Sequence, residues 1–515
     1  MIKETEITLL PSNLNNNDLM RKLVLKKLGI AAEDLTGFKI VKSSIDARKK
    51  PVYRLRVAAF INEKPKDDFT EFKFKNSEKG KRVIIVGSGP GGLFAALRLL
   101  EAGIKPIIFE RGKEVRERRF SLHDIMVDGI VDENSNYSFG EGGAGTYSDG
   151  KLYTRSLKRG NVKRILDLLI YHGAEENIAI DSHPHIGSNR LPKIVERIRE
   201  TIIKYGGEIH FNSKVTDFII ENNKIKGVIV NNKTEVTGEA TLVSTGHSAT
   251  DIWRIFERHN LSLETKPFAL GVRIEHPQAL IDSIQYKVKP RPLNLPAAYY
   301  SLTNNVKGKG VYSFCMCPGG VIVPASTSNN ELVLNGMSVS KRNSPFANSG
   351  IVVSVDEKDW KTYSEYKYFA ALKFREEVEK KSFEAGGGKQ KAPAQRVTDF
   401  VKGKISNTLP ETSYKPGIVP YDLNVIFPKN IALGLKISLT EFGKKMKGFY
   451  TDEAIILSPE SRTSSPVKIP RDRETRMHID CAGLFPVGEG AGYAGGIVSS
   501  AIDGENSANV IADLL

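Results

Sequence analysis

Residues 82–111 read Arg-Val-Ile-Ile-Val-Gly-Ser-Gly-Pro-Gly-Gly-Leu-Phe-Ala-Ala-Leu-Arg-Leu-Leu-Glu-Ala-Gly-Ile-Lys-Pro-Ile-Ile-Phe-Glu-Arg. A buried strand, a glycine turn, an apolar helix, a second strand and an acid come in that order, and the order is that of a strand–helix–strand unit built to receive a dinucleotide. Gly87, Gly89 and Gly92 fit G-x-G-x-x-G: the first permits the tight turn, the second lets backbone approach a pyrophosphate, and the third lets helix and strand pack closely. Ser88, Pro90 and Gly91 complete the turn, and phosphates would sit at the positive end of the helix that starts there. Gly103 is placed to stop the helix. Glu110, followed by Arg111, lies 18 residues after Gly92, where a carboxylate can grip ribose hydroxyls.

At 515 residues the chain has length for two or three domains. Hydrophobic residues at 40% and charged residues at 26% describe an ordinary globular protein. The first ten residues lack a basic start followed by a long apolar run, and no stretch is long and apolar enough for a membrane span. A cytoplasmic chain with no membrane partner is expected. Cys315, Cys317 and Cys481 are few and odd in number, which argues against a disulfide framework and fits a reducing compartment. The net charge of +15 invites a nucleic-acid reading, but the basic residues are interleaved with acids, as on a lysine-rich solvated surface. Residues 1–80 are the exception, with 17 basic and 11 acidic side chains.

Residues 1–76 read as an N-terminal α+β module: strands near Ile7–Leu10, Phe38–Ser44 and Val52–Phe60, and a helix over Asn17–Leu28 capped by Gly29. Residues 64–81 read as its linker. After the second strand of the glycine unit come a charged helix from about Gly112 and a glycine-rich loop, Ser138 to Lys151. Helices follow near Asn161–His172 and Leu191–Tyr205. From Glu208 short strands with polar turns form a three-stranded meander that closes on Ala240–Gly246. Between Ser262 and Thr475 the periodicity is mixed, with strands near Ala269–Ile274, Ala297–Leu302, Val311–Cys317 and Glu331–Met337 and a long polar helix near Trp360–Glu384. The end of the chain returns to a glycine-rich turn, Val487-Gly488-Glu489-Gly490-Ala491-Gly492-Tyr493-Ala494-Gly495-Gly496-Ile497, running into an apolar helix.

Three separated elements, the G-x-G-x-x-G turn, the Thr245-Gly246 end of a strand after a meander, and the C-terminal Gly488-Glu489, resemble the flavoproteins of the glutathione reductase type. That resemblance implies a non-covalent FAD, with Val215 meeting adenine through its backbone, Thr245 and Gly246 on the nucleotide side, and the acid at 489 bonding a ribityl hydroxyl. The family usually has Gly-Asp there, so Glu489 is longer by one methylene. Gly495, Gly496 and Ile497 would bring backbone N–H donors and a positive helix end to the N1 and C2=O side of a reduced ring. The segments Phe139–Leu152, His183–Gly187, Cys315–Gly320, Ser461–Pro466 and Gly488–Ile497 further resemble a bacterial group of uncharacterised FAD-dependent dehydrogenases. The fold class implied is α/β: a Rossmann-like FAD-binding domain with a β-meander over 77–261 and 476–515, a mixed α+β substrate domain over 262–475, and the N-terminal module.

A second G-x-G-x-x-G domain for a resident nicotinamide is lacking, as is a cysteine pair beside the first nucleotide site, which argues against disulfide-reductase chemistry. The expectation is an FAD-dependent oxidoreductase that transfers hydride via flavin between an unknown small molecule and either transient NAD(P)H or another donor or acceptor. Within the glycine-rich loop, Gly142, Gly143, Ala144, Gly145, Thr146, Ser148 and Lys151 are expected against the cofactor, with Glu141 and Asp149 either hydrogen-bonding it or catalytic. His183 and His185 offer either an acid/base pair near the flavin or core imidazoles, and Pro184 between them disfavours a shared metal. Cys315 and Cys317, two apart on a strand, read either as buried small residues on one face or as a redox pair. Arg462 suits an anionic substrate through its bidentate fork, or a surface turn. The rival from another class is an RNA-associated flavoprotein gripping a phosphate backbone through the basic N-terminal module.

Overall fold

Val83, Ile84, Ile85 and Val86 have no polar side chain to turn toward water, so the strand Arg82–Val86 belongs at the centre of a sheet covered on both faces. The computed structural model, which describes residues 1–65, 70–153 and 160–515, puts it there. A five-stranded sheet runs in the order Leu484–Pro486, Ala240–Val243, Arg82–Val86, Lys105–Phe109, Glu208–His210, and every neighbouring pair is parallel. Strands far apart in sequence therefore present their C-terminal ends along one edge. The helices Pro90–Ala102, Leu191–Lys204 and Ile497–Leu514 cover one face through a single apolar core. The antiparallel meander Val215–Glu221, Lys224–Val230, Thr234–Thr237 and the helix Thr250–Arg258 cover the other.

The middle of the chain forms a seven-stranded sheet ordered Thr303–Val306, Lys309–Cys317, Phe346–Val355, Phe268–Pro277, Ile455–Glu460, Ala392–Arg396, Ile418–Pro420. Its pairs are antiparallel except the last. The whole is a mixed α/β fold with parallel and antiparallel sheets.

The N-terminal residues build a three-stranded antiparallel sheet, Ile2–Leu9, Val52–Ile61, Leu35–Asp46, under the helix Asn17–Leu28, which ends at Gly29 with φ of 62°. The module does not stand apart. Ile7, Val24, Leu55 and Val57 share one continuous apolar core with Phe268, Leu270 and Val353 of the middle sheet, and Tyr53 donates to the carbonyl of Asn294 at 2.8 Å. Three of its arginines form ion pairs with acids of its own sheet: Arg48 and Arg54 with Asp46, and Arg56 with Glu4.

Two elements differ from the sequence pattern. No strand forms over Ala297–Leu302; Leu295, Ala298, Tyr300 and Leu302 are buried by packing on the core rather than by ladder pairing. The polar helix is interrupted at Lys367, where φ is 51°, so an irregular 3₁₀ stretch Lys361–Phe369 precedes the helix Ala370–Ala385. Periodicity reads side-chain faces, and a single left-handed residue leaves that periodicity nearly intact.

The C-terminal helix crosses the glycine-turn helix so closely that a methyl group on Gly504 would overlap the carbonyl oxygen of Gly91. Gly504→Val should therefore lower the thermal midpoint by an overpacking cost of about 1–3 kcal/mol and loosen the turn, measured by calorimetry with and without added FAD. A variant as stable as the parent would refute this crossing.

Candidate functional site

Between the C-terminal edge of the parallel sheet and the middle sheet lies a cavity of about 700 Å³, within the usual range for cofactor sites. Its floor is the glycine turn. Gly87 takes φ of 97° with Ser244 pressed against it, and Gly89, with nothing within 4 Å of where a side chain would start, opens into the cavity at the N-terminus of Pro90–Ala102. The glycine-rich loop is folded down onto this turn: Gly142 donates to the carbonyl of Ser88 at 3.0 Å, and Gly143–Gly145 form a 3₁₀ turn on the cavity wall.

The loop is held by Arg118, whose guanidinium is fully buried. It donates to the carbonyl oxygens of Asn136 (2.8 Å), Tyr137 (3.0 Å), Glu141 (2.8 Å) and Gly143 (2.9 Å). Burial pulls its pKa down to about 10, still protonated at neutral pH. Glu110 ties the same two elements: it accepts from the N–H and hydroxyl of Ser88 (2.9 and 2.8 Å), the N–H of Gly112 (3.0 Å) and the N–H of Gly140 (3.0 Å). Four protein donors fill the lone-pair directions of a carboxylate, so the expected grip on ribose is replaced by a structural clamp. Around it, Arg111 pairs with Asp251 at 2.8 Å and Lys214 with the same carboxylate at 3.0 Å. With Ser213 and Val215 they line this end of the cavity.

At the other end stand Gly488, Glu489, Gly495, Gly496 and Ile497. Asp503 fixes this turn from the C-terminal helix, accepting from Gly488 N–H at 2.8 Å and from Arg471 at 2.7 Å. The Glu489 carboxyl lines the cavity without a hydrogen-bond partner among the described residues. Burial pushes it up to about 8, against the pull of Lys266. His247, next to Thr245 and Gly246, also faces the cavity. Burial, with Arg462 and Arg375 nearby, lowers it to about 3, so its imidazole is neutral and contacts the Ser248 hydroxyl at 2.8 Å.

The cavity is closed by Phe314, Cys315 and Glu460 of the middle sheet and by Val333 and Leu334 at the start of a strand in a separate two-stranded sheet. Glu460 pairs with the buried Arg273 at 2.8 Å, yet burial outweighs that partner and raises it to about 7. Asp149, against Arg342 at 2.6 Å and near Lys151 at 3.8 Å, is held down at about 2 despite burial.

Most residues expected at a cofactor do line the cavity: Gly87, Gly89, Pro90, Gly91, Glu110, Arg111, Gly143, Ala144, Gly145, Ser148, Lys151, Val215, Thr245, Gly246, Gly488, Glu489, Gly495, Gly496 and Ile497. Ser88, Gly92, Gly142 and Thr146 do not. Ser88 serves Glu110, a side chain on Gly92 would overlap the carbonyl of Gly87, one on Gly142 would overlap Thr146, and Thr146 donates to the carbonyl of Glu141 at 2.9 Å. Glu141 is likewise behind the wall, accepting from Val115 N–H at 2.8 Å. His183 and His185 lie outside the cavity; His183 packs on Tyr299 and His185 meets the carbonyl of Ser340 at 3.1 Å, so neither is an acid/base there. Arg462 reaches the wall, but its fork is taken by Glu331 (2.6 Å) and Glu379 (3.0 Å) rather than left for a ligand. Cys315 lines the cavity and Cys317 is buried behind it, in a stretch where the strand register slips.

Arg118, Asp503, His247 and Glu460 carry the site without having been singled out from the sequence. Glu460 alone has a visible signal, an acid closing the strand that begins with the apolar Ile455-Ile456-Leu457.

The open faces of Gly89, Gly246 and Gly495 and the partnerless Glu489 carboxyl suit a long ligand with phosphates at one place and hydroxyls at another. Residues 267–463 match the family described as "FAD-dependent protein, C-terminal domain-like", and residues 1–60 match a domain of unknown function. An uncharacterized protein of Clostridium beijerinckii is 40% identical over 516 residues, covering 96% of each chain. A thiamine thiazole synthase of Aeropyrum pernix is 27% identical over 150 residues, 29% of this chain and 43% of that one. Among solved structures, that of CtdE in complex with FAD aligns with 85% of this chain and 84% of its own at 11% identity and a TM-score of 0.32. FAD is the cofactor.

Arg118→Met should strand the loop carbonyls in a buried place, destabilise the protein by about 3 kcal/mol and abolish FAD retention; a stable yellow variant would contradict the clamp. Glu489 gives a pH test. Its folded pKa is raised above the unfolded value of about 4.3, so its contribution is favourable below that value and is lost as pH rises toward about 8. Glu489→Gln apoprotein should therefore gain thermal stability over wild type at pH 8 and match it near pH 4. A gap that is constant with pH would count against the buried carboxyl.

Proposed function

The chain belongs to an uncharacterised family of FAD-dependent proteins, and from that membership we propose that it is a flavoenzyme, an oxidoreductase with a glutathione-reductase-type FAD domain acting on a small molecule at the middle-sheet end of the cavity. The observation that carries this reading is the meeting of three remote segments, Gly87–Gly91, Ser244–Gly246 and Gly488–Ile497, around one cavity that the middle sheet closes.

Bound FAD supplies two-electron redox chemistry, and the chain's own groups prepare the place for it. The N-terminus of Pro90–Ala102 offers N–H groups and a positive helix end to phosphates. Ser213, Lys214 and Val215 form the adenine end. Glu489 accepts from a sugar hydroxyl, and the N-terminus of Ile497–Leu514 favours negative charge beside Gly495 and Gly496. Phe314, Val333 and Leu334 exclude water from the substrate end. Glu460, raised to about 7, holds a proton that it can give or take near neutral pH, and Lys151 keeps a positive charge there that suits an anionic substrate.

A reduced nicotinamide is the proposed donor, approaching the flavin transiently. In anaerobic rapid mixing of the holoprotein with NADH or NADPH, the flavin absorbance should bleach and return when air is admitted. Bound flavin that neither donor bleaches, while dithionite does, would reject the nicotinamide donor.

A further inference from the structure

Cys315 lies in the strand Lys309–Cys317, where pairing with Phe346–Val355 slips between Phe314 and Cys317. At the slip it takes φ of 46°, a left-handed backbone that a residue with a side chain keeps only where its surroundings impose it. The slip turns Cys315 to the cavity while Cys317 stays buried. Lys151 Nζ stands 3.5 Å from each sulfur. Arg273 fixes the bulge by donating to the Cys315 carbonyl at 2.9 Å, and reaches the Cys317 sulfur at 3.7 Å. One cation shared by two sulfurs stabilises a thiolate, the form that attacks a disulfide. The Cys317 thiol, with Lys151 and Arg273, holds Cys315 well below the ordinary thiol range, while the same coupling and burial push Cys317 well above it. A partly exposed, acidic thiol backed by a buried, protonated one is the division of labour between an attacking and a resolving cysteine.

We propose that Cys315 and Cys317 are a redox-active dithiol that passes an electron pair from FAD to a small disulfide substrate entering the cavity; this rests on the flavoenzyme reading above. The Cys315 thiolate attacks one substrate sulfur, forming a mixed disulfide and expelling a thiolate. Cys317 gives its proton to that thiolate, attacks the Cys315 sulfur and expels the second half of the substrate as a thiolate. The substrate disulfide is reduced by two electrons and the cysteine pair is oxidised by two. Reduced FAD, held at this cavity, would supply the two electrons and one proton that reopen the Cys315–Cys317 bond to a Cys315 thiolate and a Cys317 thiol, with a reduced nicotinamide as the source of that hydride equivalent.

The test is an anaerobic dithionite titration of air-oxidised holoprotein, wild type against Cys315→Ser and Cys317→Ser. Wild type should take up twice as many reducing equivalents per FAD as either variant. Independently of flavin, the oxidised apoprotein should yield a peptide in which Cys315 and Cys317 resist alkylation until reduced. In reduced apoprotein, Lys151→Met should slow alkylation of Cys315 at neutral pH about tenfold. Equal uptake by all three yellow proteins, or free alkylation of both cysteines after oxidation, overturns the pair and leaves the FAD site standing. A wild-type chain that takes up no FAD overturns the flavoenzyme reading and the pair with it.

Discussion

Arg118 brings a full positive charge into a space where its hydrogen bonds go to main-chain carbonyls. Backbone oxygens in a loop this rich in glycine would otherwise need water, and water in that position would fill the floor of the cavity. By gathering them, the guanidinium turns the loop's carbonyls inward to itself and leaves the chain free to lie against the G-x-G-x-x-G turn. Glu110 performs the complementary task, gathering N–H groups from both sides of the same seam. A cation for carbonyls and an anion for amides together fix two irregular segments that have no secondary structure to stabilise each other.

The opposite end of the cavity is held by charge of another kind. Asp149 and Glu460 face the cations Lys151, Arg342 and Arg273 between the loop and the middle sheet. Two cations and a hydroxyl keep Asp149 ionised despite burial, whereas burial outweighs Arg273 at Glu460 and raises it to about 7. A site of this type is costly to bury and contributes chemistry in return for stability.

The cofactor half of this arrangement was legible in the chain because glycine patterns report backbone geometry directly: Gly87, Gly89, Gly488 and Gly495 had to stand where something comes close. The polar half was not. Arg118 lies in the helix Val115–Val127 among Arg116, Glu117 and Arg119, and nothing local distinguishes the one guanidinium that turns inward. Glu110 was found by its position after the second strand, but its partners, Gly112 and Gly140, are set by a loop whose path no periodicity encodes. His183 and His185 stand out in the sequence as paired imidazoles, yet their surroundings include Tyr299 and Ser340, more than a hundred residues away in sequence. Cys315 and Cys317 look equivalent on an ideal strand, and only the bulge separates them. The N-terminal module was visible as a unit, whereas its merging with the middle core depends on contacts such as Tyr53 with Asn294.

The account stands or falls on where the cofactor lies. A crystal structure of the chain grown with FAD tests it most directly: density for the adenine beside Lys214 and Val215, phosphates at Gly89, and the ring system between Gly495 and Cys315. Density in the reverse direction, or a cavity filled by side chains with FAD bound elsewhere, would contradict it.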